Sequence, residues 1–155
     1  MIPFLFLVVI VIAAIYFFKS PKKIDTNNIK IDQNLLEKHV LFFTQLSIED
    51  KIRFTEEVKF FLAEVNITGV DTTVTDTDKI LVASSAVIPV FNFKNWRYYN
   101  LQEVLLYSDA IDMNFASTGQ GRDILGMVGT GYMEGKMLLS KPALELGFVN
   151  RTDKN

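Results

Sequence analysis

The sequence predicts an α+β protein behind an apolar amino-terminal segment, and three observations predict it. Between Leu35 and Val65, apolar side chains recur at helical spacing. Leu101–Tyr107 and Lys136–Ser140 are short apolar runs bounded by turn-forming residues, the pattern of strands. Between these regions, Ile80–Ile88 (ILVASSAVI) is apolar nearly all round and ends at Pro89. That run reads as a buried helix, with a buried strand as the alternative.

Ile2–Phe18 holds 17 residues without a charge, 13 of them Ile, Leu, Val or Phe. As a helix it would span about 25 Å, at the short end for a bilayer core. Tyr16 lies near one end, where an amphipathic ring suits the headgroup region. No Lys or Arg precedes the run and no small-x-small site follows it, so a transmembrane anchor is favoured over a cleaved signal peptide. Lys19, Lys22 and Lys23 follow it. Basic residues stay on the cytoplasmic side. The expected location is therefore the cytoplasmic membrane, crossed once, with the rest of the chain in the cytoplasm. Residues 19–34 are polar and read as a linker, leaving 35–155 as one domain.

Within that domain, Leu35–Leu46 is expected to form one helix. Ser47 is the N-cap candidate for the next, and Glu49 and Asp50 lie at the positive end of its dipole. This helix is expected to reach Val65, with Phe54, Val58, Phe61, Leu62 and Val65 on its buried face. Phe60 falls on the polar side, where it would meet the preceding helix or the bilayer. Gly69 reads as the residue that closes the helix. In Thr72–Asp78, the alternating Asp76 and Asp78 suggest a calcium loop, but the required Gly and terminal Glu are missing. A helix start capped by Asp76 or Thr77 is the better reading. Asn92–Tyr99 (NFKNWRYY) reads as a surface loop tying rings into the core edge. Gly119–Gly135 contains six glycines, but Ile124 stands where a phosphate-binding loop needs its third, so tight turns are expected there.

Composition narrows the chemistry. Of 155 residues, 49% are apolar and 22% charged, and the formal charge is −2, which gives no basic face for nucleic acid. There are no cysteines and one histidine, His39. Zinc sites built from side chains use two or three His or Cys, so no metal or other cofactor is expected in this chain itself. A Ser-His-Asp triad would have to use His39, which lies among apolar neighbours and reads as a packing or surface residue.

Four segments taken together resemble one family: LSIEDKIRF (Leu46–Phe54), ILVASSAVIPVF (Ile80–Phe91), LQEVLLYSDAI (Leu101–Ile111) and GKMLLSKPALELGF (Gly135–Phe148). Their order and spacing resemble the Mlc titration factor A-like zinc metallopeptidases. The resemblance implies a zincin-like amino-terminal subdomain, helices packed on a small β-sheet. It also implies that the last segment is followed, after a polar turn, by a helix bearing His-Glu-x-x-His, which binds zinc and activates its water. No such motif occurs in these 155 residues. The polar ending, with Asn150, Thr152, Asp153 and Asn155, resembles the approach to that helix. The expectation is thus the amino-terminal part of a membrane-anchored zinc peptidase, catalytically incomplete by itself. Zinc and a peptide or protein substrate are implied for the full-length family member. By resemblance, Met137, Leu138, Leu139 and Ser140 correspond to the strand bordering the active-site cleft, which offers its edge to an extended substrate. The alternative function is a non-catalytic membrane-anchored module that captures a transcriptional regulator. Without the missing helix, residues 19–155 are expected to be poorly soluble.

Overall fold

The structure, a computed structural model, describes residues 24–94 and 96–149. The apolar segment 2–18 and the polar ending lie outside the described residues, and no helix among the described residues is long and apolar enough to cross a membrane.

Helix α1 spans Gln33–His39 and α2 spans Leu41–Thr44. The single helix expected over this stretch is therefore divided, at Val40, whose backbone is extended (φ −117°, ψ 90°). The β-branched side chain weakens the helix there, and tertiary contacts exploit the break. Leu36, Val40 and Phe43 are all fully buried. The adjacent rings of Phe42 and Phe43 both lie 5.7 Å from the Phe54 ring.

Helix α3, Ile48–Glu64, starts at the expected cap: the Ser47 hydroxyl accepts from the Asp50 N–H. Phe54, Val58 and Phe61 are buried as the periodicity predicts. Phe60 is half-buried, with the Arg97 guanidinium 4.6 Å from its ring centre.

Asn66–Val70 is strand β1. Gly69 therefore lies inside a strand and does not close a helix. The left-handed residue is Asp71 (φ 55°), where the chain folds back so tightly that a Cβ on Gly69 would lie 2.2 Å from the Thr72 carbonyl oxygen. Helix α4, Asp76–Val87, follows and resolves the ambiguous apolar run as helix. Its cap is Thr75, one residue before the expected position. The Thr75 hydroxyl accepts from the Asp78 N–H while the Asp78 carboxylate accepts from the Thr75 N–H, a reciprocal capping box. Pro89 then lies in a short 3-10 turn, Ile88–Val90. In the aromatic loop after it, the Tyr98 hydroxyl donates to the Ala86 carbonyl at 2.8 Å.

Strands β2 (Glu103–Tyr107), β3 (Gly126–Val128) and β4 (Lys136–Ser140) complete a four-stranded sheet in the order β1-β2-β4-β3. The first three in that order run parallel, and β3 is antiparallel to β4. Strand alternation divides the core. Val104 and Leu106 face α3 and α4, with Met137 and Leu139 packed against the same cluster. Tyr107 and Leu138 join Ile111 and Met133 on the other face. Helix α5, Lys141–Phe148, follows β4 without a gap.

Candidate functional site

The residues singled out as substrate-binding form most of β4, and the structure gives each a different task. Leu138 is fully buried. The Ser140 side chain is buried and caps α5, accepting from the Ala143 N–H at 3.4 Å. Met137 and Leu139 are half-buried and line an open, mainly apolar groove of about 580 Å³ with Ser85, Ile88, Leu144 and Phe148.

The backbone of β4 is paired on both sides. Glu103–Tyr107 of β2 matches Lys136–Ser140 on one side, and Val128, Met127 and Gly126 of β3 match Met137, Leu138 and Leu139 on the other. An edge strand at Met137–Leu139 is therefore corrected to an interior one, because the Gly-rich region supplies β3 as the outer strand. Reading that region as turns alone missed β3, whose three residues are too short for any period to register. Helix α5 did leave a signal, a Ser followed by Pro at the first turn.

Beyond the carboxyl end of β4, α5 is tied to α4 by an ion pair. Lys141 Nζ donates to Asp78 Oδ2 at 2.8 Å, and Asp78 is only 2% exposed. Burial pushes the Asp78 carboxyl up, but the Lys141 ammonium and the N–H and hydroxyl of Thr75 outweigh it and hold the group below its ordinary value. At the opposite end of the sheet, Glu103 accepts from Lys136 and from the Thr68 hydroxyl, and these bonds lower its pKa. Burial, with Tyr132 and Asp71 nearby, raises that of the Tyr107 phenol. Past the carboxyl end of β2, Asp109 accepts from the Ala110 N–H and from Arg122, and both contacts lower its pKa. Each of these carboxylates has a structural partner.

Could these residues hold zinc? Among the described residues, no three His, Cys, Asp or Glu side chains gather in a way that could hold a metal ion. His39 ends α1, half-buried, and Asp76 and Asp78 belong to the first turn of α4, where Asp78 is committed to Thr75 and Lys141. The described residues do not fit a zinc site, and no catalytic step is assigned to them.

Helices on a small mixed sheet, with an interior strand running straight into a capped helix, define an α+β scaffold, and comparison with known families identifies it as a metallopeptidase-family protein. The family model described as glucose-regulated metallo-peptidase M90 matches residues 18–155. The chain belongs to that family, the Mlc titration factor A family. No curated protein and no solved structure matched the chain.

Proposed function

We propose that this chain is the amino-terminal scaffold of a zinc-dependent peptidase, held at the cytoplasmic face of a membrane by residues 2–18. Its metal-binding helix would come from polypeptide beyond residue 155. The family match over residues 18–155 carries this reading. Composition supports it: a single histidine and no cysteine leave the usual zinc ligands to be supplied from elsewhere. The groove over Met137 and Leu139 supports it too, since an apolar surface between α4, α5 and the sheet suits the buried face of one more helix. An extended peptide would pair with the outer edge of β3, in front of Met137–Ser140, exchanging main-chain hydrogen bonds as an added strand.

The test begins with the DNA following codon 155, read in all three frames for His-Glu-x-x-His. The purified 155-residue chain is expected to hold no stoichiometric zinc and to cleave no peptide. Co-expression with the downstream polypeptide is expected to produce both. Stoichiometric zinc and peptide cleavage from this chain alone would refute the proposal.

A further inference from the structure

The loop that leads into β2 exposes three aromatic side chains. Phe93 is 64% exposed, Trp96 50% and Tyr99 85%. Trp96 stands beside Phe93 and Tyr98, with ring centres 6.1 and 6.5 Å away. Trp96, Tyr98 and Tyr99, together with Leu101, Val128 and Met137, border a largely apolar concavity of about 650 Å³. The loop lies at the end of the sheet where the three parallel strands begin, since Asn66, Glu103 and Lys136 are in register there and Gln102 donates to the Gly135 carbonyl.

Two observations decide what covers this surface. The first is charge. Arg97 is bound to Glu57 at 2.8 Å, and Lys136 is paired with Glu103, so two of the three cations bordering the rings are already neutralised. Lys94 alone has no ion-pair partner among the described residues. A phosphate-reading surface needs free cations in number, whereas Trp and Tyr rings with few free charges suit the headgroup boundary of a bilayer. The second is tether length. Ten residues, 19–28, separate the apolar segment from Ile29, which lines a groove beside Val65–Ile67 at the start of β1. Fully extended, they reach at most about 35 Å, comparable to the diameter of a domain of this size. The domain is thus kept within about its own width of the bilayer, where a shallow aromatic contact acts at high effective concentration.

We infer that the Phe93, Trp96 and Tyr99 rings dock on the bilayer interface, fixing the strand-start end of the sheet against the membrane and turning the opposite end, with the start of α5, toward the cytoplasm. This inference rests on the membrane-anchor reading of residues 2–18. Its occupant is the lipid surface itself, zwitterionic lipid included, because the rings and not the charges make the contact.

Trp96 is the only tryptophan in the chain, so its fluorescence reports on the loop alone. The full chain would be reconstituted into phosphatidylcholine vesicles and floated on a density gradient, then measured with nitroxide-labelled lipids and with aqueous iodide. The chain is expected to float, and a nitroxide high on the acyl chain is expected to quench Trp96 about twofold more strongly than one at the chain end, as an interfacial ring requires. High salt should leave that quenching in place, and joint Phe93→Ser and Tyr99→Ser substitution should reduce it by about threefold. Should the chain float while iodide quenches Trp96 freely and nitroxide lipid does not, docking is overturned and the anchor stands. If the chain fails to float, both readings fall. Loss of quenching in high salt would assign the contact to headgroup charge and overturn the aromatic mode.

Discussion

Replacing Lys141 with Met isolates the ion pair that fastens α5 to α4. Met keeps most of the aliphatic bulk and removes the ammonium 2.8 Å from Asp78 Oδ2. The carboxylate is 2% exposed in its side chain, and that of Lys141 is 22% exposed. Breaking a fully buried pair costs about 3–5 kcal/mol, because one charge is left without compensation. Two features reduce the figure here. Lys141 is partly solvated, and Asp78 keeps the N–H and hydroxyl of Thr75, both at 2.8 Å. A loss of about 2 kcal/mol at neutral pH follows. With a urea slope of about 2 kcal/mol per molar, the unfolding midpoint should fall by about 1 M. The assay is urea unfolding of the full chain in detergent micelles, followed by Trp96 fluorescence.

The dependence on pH provides a second reading of the same experiment. Asp78 has a folded pKa below its unfolded value. Its contribution to stability is therefore complete above about pH 4, the ordinary carboxylate value, and is lost as pH falls through the folded pKa. Without Lys141, burial is opposed only by Thr75, the folded value rises toward or past the unfolded one, and the fall in stability below about pH 4 flattens. A midpoint change below about 0.3 M at neutral pH, the size of an exposed ion pair, with an unchanged acid slope would refute this account of the contact.

Two further substitutions test the packing. Gly69→Ala places a methyl 2.2 Å from the Thr72 carbonyl oxygen, so the turn after β1 must move; a loss of about 2 kcal/mol in urea unfolding is expected. Phe54→Ala empties a fully buried site ringed by Phe42, Phe43 and Phe91 at 5.5–5.7 Å, and should cost about 3–5 kcal/mol by the same measurement.

The elements with local signatures were legible in the residues. Ser47, followed by two acids and a helical apolar stripe, specifies α3 because the cap, the dipole and the buried face all lie within one turn or one period of each other. The strands β2 and β4 were equally clear, as apolar runs bounded by turns. The family resemblance was carried by segments of this kind, and it agrees with the match over residues 18–155. Elsewhere the decisive partner is distant in sequence. The break at Val40 serves rings that meet Phe54 and Phe91, and the role of Gly69 depends on the chain reversal at Asp71.

The candidate site divides in the same way. Sequence alone determined that Met137–Ser140 is a strand and that this chain carries one imidazole and no thiol. Only the tertiary structure decided that the strand is interior, because its outer neighbour β3 is three residues drawn from a glycine-rich loop and held by pairing to β4. Only the tertiary structure, too, joined Lys141 to Asp78, 63 positions apart. Apolar period and capping chemistry are written within a few residues, but strand order and buried charge pairs depend on which distant segments the hydrophobic core brings together.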